Sequence, residues 1–198
     1  MAAFFGVIGL MAVIFGVILF IVGIFSKKIR KSHGAILAAL GLVLFIISVS
    51  TDINADKKEK EKLSSMTATE RIEYNIKKKL GEKTNFDKNR VVSIEEKNGY
   101  VQVVLNADEG IDEKGTVQGI LADAKQVFPI IFKENGVEKA LVTFRLTFVD
   151  QYGKEKDDDA IRIVLTKPTS EKIEWGNFEE ENFASVADSF YIHPGLND

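Results

Sequence analysis

The chain has 198 residues, with 26 Lys and Arg against 29 Asp and Glu, a net charge of −3, and no cysteine. The missing cysteines exclude disulfides, thiolate metal sites and cysteine nucleophiles. The slightly acidic balance argues against nucleic-acid binding, which needs clustered positive charge to displace counterions from phosphates. Mean hydropathy is +0.01, but that average joins two different materials. The first fifty residues hold only four charged side chains, Lys27, Lys28, Arg30 and Lys31, and the remainder is strongly charged.

Residues 2–25 form an uncharged run. At about 1.5 Å per residue it reaches roughly 36 Å, enough for a hydrocarbon core of about 30 Å. A second uncharged run covers 34–51 and reaches roughly 27 Å. Length and composition predict two membrane-spanning helices, 2–25 and 34–51, joined by the basic loop 26–33 as an antiparallel hairpin. Gly9, Gly16 and Gly23 recur at seven-residue spacing in the first run, and Gly34, Gly41 and Ser48 in the second. Seven residues is two turns, so each set makes a stripe of small residues suited to close helix packing, within the hairpin or against a second copy. Lys27, Lys28, Arg30 and Lys31 in the short loop predict that the loop stays in the cytoplasm, with both chain ends outside.

Residues 52–66 read as a charged juxtamembrane stalk, and 67–198 as one domain. Thr67-Ala68-Thr69-Glu70 matches a capping box. Ile72, Ile76 and Leu80 follow at helical spacing, and Gly81 stops the helix. Two runs, 91–96 and 100–106, flank Asn98-Gly99, the favoured signal of a tight hairpin. Val117, Ile120, Leu121, Ala124, Val127 and Phe128 follow a helical period up to Pro129, which kinks or ends it. Val142, Phe144, Leu146 and Phe148, then Ile161, Ile163 and Leu165, alternate as strands, with 150–159 read as the loop between them. Phe178, Phe183, Val186, Ala187, Phe190 and Tyr191 recur at helical spacing, and His193-Pro194-Gly195 ends that helix. The expected order is α-β-β-α-β-β-α, an α+β domain with one four-stranded antiparallel sheet.

Each candidate for chemistry has a structural counter-reading. Asp157, Asp158 and Asp159 with Asp150 and Glu155 offer oxygens to a hard cation, but lack the glycine and terminal glutamate of a calcium loop, so a hydrated hairpin tip is expected. His193 lacks the partners of a nucleophile–base pair and a second histidine for a transition metal. Gly115-Thr116-Val117-Gln118-Gly119 lacks the spacing and lysine of a phosphate-binding loop. No catalytic, cofactor or metal residues are assigned. Trp175, Phe178, Tyr191 and His193 can line a binding surface for a peptide or glycan, or close the core.

Two N-terminal helices, a charged stalk and a small outer domain resemble the layout of small two-helix membrane-anchored proteins of Gram-positive bacteria and their phages or mobile elements. The segment Ala187-Asp188-Ser189-Phe190-Tyr191-Ile192-His193-Pro194 has the look of a family signature. The likeness is one of layout and implies no active site. The expected function is a membrane-anchored, non-enzymatic interaction module with its domain on the outer face of the cell membrane. Its partners would be the lipid bilayer and a protein, peptide or envelope component. The alternative is an accessory or regulatory subunit of a membrane complex, including one that excludes a second phage or element, docking through the hairpin. A small cell-envelope hydrolase is the third reading and requires an acid–base pair in a cleft.

Overall fold

The computed structural model describes residues 11–15, 17, 18, 21 and 31–196. The chain divides into two units, residues 1–65 and 66–198. In the first unit, α1 runs over Lys31–Ser64 as one helix of 34 residues. This differs from the expected helix over 34–51 and a separate stalk. The charged stretch after Thr51 is helical because it is rich in Lys and Glu, good helix formers, and has no Gly or Pro before Ser64. Lys57 and Glu61 face each other one turn apart at 4.0 Å.

The membrane-spanning hairpin is corrected. Among the described residues, no helix is long and apolar enough to cross a membrane. The uncharged part of α1 shares its helix with the charged run 52–62. Membrane anchoring and the two-pass, outward-facing location therefore lack structural support. Most of the first run, Gly9, Gly16, Gly23 and the loop residues Lys27, Lys28 and Arg30 lie outside the described residues. Lys31 opens α1, and Gly34, Gly41 and Ser48 fall within it.

In the second unit, α2 (Ala68–Leu80) starts as its sequence predicts. The Thr67 side chain accepts from the Glu70 N–H, and Glu70 accepts from the Thr67 N–H at 2.7 Å. The strands are β1 (Val91–Lys97), β2 (Tyr100–Asn106), β3 (Lys139–Val149), β4 (Glu155–Thr166) and β5 (Ser189–Ile192). Helix α3 (Glu113–Phe132) joins β2 to β3; the single turns α4 (Lys167–Ser170) and α5 (Phe183–Val186) lie between β4 and β5.

The sheet has five strands in the order β1-β2-β3-β4-β5 and is mixed, because β2 and β3 run parallel. This corrects the four-stranded antiparallel expectation at two points. First, α3 is a crossover that returns the chain in the same direction, so the two hairpins meet along a parallel pair. Second, the terminal helix expected over 178–191 is a loop, one helical turn and strand β5. Phe190 and Ile192 pack on the core while Ser189 and Tyr191 alternate with them. Asp188 fixes that strand by accepting from the Thr166 N–H at 2.7 Å and the Thr169 hydroxyl at 3.1 Å.

One face of the sheet makes the core. Val101, Val103, Leu105, Val142, Phe144, Ile161, Ile163 and Leu165 lie against Ile72 and Ile76 of α2 and Ile120, Ala124, Val127, Phe128 and Ile131 of α3. Burial of each large side chain contributes about 1.5–3 kcal/mol. The register begins at the β1–β2 turn, where Asn98 and Gly99 both have positive φ, as a primed hairpin turn demands. The Gly99 carbonyl accepts from the N–H groups of Glu138 and Lys139, which sets β3 alongside β2. A Cβ at Gly99 would lie 2.7 Å from the Gly136 carbonyl oxygen, so only glycine fits.

Arg90 is 2% exposed. Its guanidinium donates to the carbonyls of Leu80, Lys83 and Asn106 and to Asp108 at 2.7 Å, with Asp123 at 3.9 Å. It thereby joins the end of α2, the following loop, the end of β2 and α3. Arg90→Ala should cost about 3–5 kcal/mol, since it leaves buried acceptors unpaired. Arg90→Lys should recover only part, lacking the fork. Chemical denaturation of both variants measures this.

Burial pushes the Asp123 carboxyl up from 3.8 to about 6, against the pull of Arg90 and with a further push from Asp108. Between these values the folded chain keeps a proton that the unfolded chain releases. Asp123 therefore favours folding at low pH, and this contribution is lost as pH rises from about 4 to about 6, on the order of 2–3 kcal/mol in all. Asp123→Asn should remove that slope, so the difference in stability between variant and wild type changes across this window and is flat above pH 7.

Candidate functional site: a groove at the carboxyl end of the parallel strands

Ligands of sheets with parallel strands gather where the carboxyl ends of those strands open into loops. Here those ends belong to β2 and β3. Beyond β2, the Ala107 N–H still donates to the Arg145 carbonyl at 3.0 Å, and the chain then turns away. The side chain of Asn85 holds this turn from the neighbouring loop, donating to the Glu109 carbonyl at 2.7 Å and accepting from its N–H at 3.2 Å. The Gly110 N–H donates to the Thr116 hydroxyl at 2.8 Å. A Cβ on Gly110 would meet the Thr116 nitrogen at 2.6 Å, so the loop presses directly on the first turn of α3. Asp112 caps α3 by accepting from the Gly115 N–H at 2.7 Å.

Between this loop and the end of β3 lies an open groove of about 280 Å³. Its apolar lining comes from Ile111, Leu146, Phe148, Val149 and Leu196, and its carboxylates from Glu109, Asp112 and Glu113. Ile111 is wholly exposed, at 108%. His193 borders the groove. Its ring stacks on Phe148 with centroids 3.9 Å apart, and its Nδ1 accepts from the Gly195 N–H at 3.0 Å. That nitrogen serves the local turn. Asp158, whose charge acts on the same corner, is bonded by Lys156 at 2.7 Å and the Asp159 N–H at 2.9 Å, which hold its carboxyl below the usual range. Such a carboxylate is a weak base.

The four candidates Trp175, Phe178, Tyr191 and His193 do not form one surface. Trp175 and Phe178 pack with Phe128 and Phe183 on the core side of the sheet. Tyr191 lies against Arg162, whose Cζ is 4.3 Å from the ring centroid. His193 is on the groove. Tyr191 and His193 share strand parity, but β5 ends at Ile192 and His193 beyond it stacks on Phe148; the aromatic cluster around Phe128 takes up the other two.

The three aspartates are not in a hairpin tip either. Strand β4 begins at Glu155, and the turn spans only 150–154. Each aspartate has its own cation. Lys88 donates to Asp157 at 2.6 Å and to the Thr147 hydroxyl at 2.6 Å, and Asp157 is held below the usual range by Lys88 and then Thr147. Asp158 pairs with Lys156, and Asp159 lies between Arg145 and Arg162. These pairings offset the poor strand preference of aspartate.

Sequence reading missed the groove. Its signal is small: Ile111 is a lone apolar residue inside the acidic loop 108–113, immediately before an Asp112 cap. Comparison with protein-family models, curated proteins and solved structures returns no match.

Proposed function

We propose that the domain is a non-enzymatic interaction module that takes a basic-and-apolar segment of a protein partner into this groove. The carrying observation is Ile111, wholly exposed beside an apolar lining and framed by Glu109, Asp112 and Glu113. An apolar side chain left in water on a loop held by Asn85 and Gly110 gains free energy only when something covers it. The carboxylate frame selects a cationic flank and repels an anionic one. The volume falls just under the roughly 300–1,000 Å³ of small-molecule pockets, so it fits one or two side chains better than a cofactor. The loop is pinned at both ends, so little ordering cost arises on binding.

A peptide with one leucine between paired lysines, acetyl-Lys-Lys-Leu-Lys-Lys-amide, tests this. The full-length chain should bind it saturably by isothermal titration, more weakly as salt rises, and should not bind the glutamate counterpart there. Ile111→Ser and the pair Glu109→Gln, Glu113→Gln should each weaken binding about tenfold, the effect of roughly 1.4 kcal/mol. Unchanged affinity in both variants, or no binding by the wild-type chain, would overturn the reading.

A further inference from the structure

Helices α2 and α3 cover one face of the sheet. On the other face, cross-strand pairs place Thr143 opposite Arg162, Arg145 opposite Asp159, and Arg162 opposite Tyr191. A bulge sets this arrangement. Phe144 pairs with Ile161 but Arg145 pairs with Asp159, so Ala160 is the extra residue of β4. With regular alternation in place of this bulge, Asp159 would share the core side with Ile161.

The charges on this face do not balance. Asp159 is the single carboxylate between two guanidiniums, with Arg145 Nε at 3.9 Å from one oxygen and Arg162 Nη1 at 3.5 Å from the other. Both distances exceed the roughly 2.7–2.9 Å of a charge-assisted hydrogen bond. Asp157, the next carboxylate on this face, is taken by Lys88 and Thr147. Arg145 spends one further donor on the Asp157 carbonyl at 3.1 Å. The side chains of Arg145 and Arg162 remain 32% and 46% exposed. Tyr191 holds the Arg162 plane from below, so the remaining N–H groups of that guanidinium form a fork already oriented for an acceptor.

We propose that this face binds the carboxylate side chains of an acidic, extended protein segment, with Arg162 and Arg145 as the anchoring pair. Charge selects the occupant. The local surplus is one positive charge, which a carboxylate neutralises. A phosphate dianion would exceed it and meet Asp159 as well. A second cation–aromatic pair fixes the length. Lys139 lies over the Tyr100 ring at 5.4 Å, six residues along β3 from Arg145 and on the same face, roughly 20 Å away at a strand rise of about 3.3 Å. Leu141 and Thr143 lie between them on the same strand face, with Thr143 buried among its neighbours.

The full-length chain titrated with an acetylated, amidated hexaglutamate peptide tests this. Binding should be saturable and fall with salt, and NMR signals of Arg145, Arg162 and Tyr191, including the arginine side-chain N–H groups, should shift. Arg145→Ala with Arg162→Ala should weaken binding at least tenfold, whereas Ile111→Ser in the groove should leave it unchanged. Inorganic phosphate and a single-stranded RNA should not displace the peptide. Full affinity in the double variant, displacement by phosphate or RNA, or wild-type shifts confined to other residues would overturn the proposal. The wild-type shift map decides alone should the double variant fail to fold.

Discussion

The carboxyl end of the sheet depends on one buried cation. Arg90 reaches the last carbonyl of α2, a carbonyl of the loop after it, the last carbonyl of β2 and a carboxylate of the groove loop. A charge removed from water to that extent is tolerated only when hydrogen bonds replace its hydration. Its Nε has no hydrogen-bond partner among the described residues, so the replacement is incomplete. Arg90 therefore contributes little net stability over an apolar packing of similar size. What it contributes is position. The loop before β1 and the loop after β2 meet at its guanidinium, and the Asn85–Glu109 hydrogen bonds extend that junction towards the groove.

The same economy governs the sheet margins. Strand β1 ends one side of the sheet, and it is broken by a register shift between Val91 and Ser93 and closes on Glu95, Glu96 and Lys97. Strand β5 ends the other side with four residues only. Bulges, charges and short strands prevent edge-to-edge pairing with another chain. Both edges of this unit's sheet are protected, and α2 and α3 cover one of its faces.

Local signals in the sequence were legible where the residues involved are neighbours. The Thr67–Glu70 capping box, the Asn98-Gly99 turn and the alternation of β3 and β4 formed where their spacing placed them. What escaped was set by distance along the chain. Nothing local distinguishes two antiparallel hairpins from two hairpins meeting in parallel; the crossover through α3 decides it. The terminal segment failed for a different reason. Phe183, Phe190 and Tyr191 fit a helical period by chance, and the Asp188 contacts to Thr166 and Thr169 that convert 189–192 into a strand span about twenty residues. The N-terminal reading rested on apolar length alone, and the continuous charged helix of α1 shows that the composition change at Asp52 is not a structural boundary. Of the candidate site residues, Tyr191 and His193 are partly exposed but on different surfaces, against Arg162 and Phe148 respectively, and the helical period that placed Phe178 with Tyr191 fails because Phe178 lies in the loop before β5 and packs on Trp175.

Strand β3 ties the two proposed surfaces to one register. Its even positions, Phe144, Leu146 and Phe148, face the core and then the groove. Its odd positions, Thr143, Arg145 and Thr147, face the uncovered side. A slip of one residue would exchange these sets, taking Leu146 and Phe148 from the groove and Arg145 from the open face. Two features oppose the slip: the Gly99 carbonyl that receives Glu138 and Lys139 at the start of the strand, and the bulge at Ala160 opposite its second half. The bulge has a second consequence for charge. It moves Asp157 and Asp159 to the uncovered face, where they partly neutralise Lys88, Arg145 and Arg162, while Asp158 goes to the His193 side. The net charge of −3 therefore conceals an acidic groove and a locally cationic face, and the pleat of a single strand keeps the two apart.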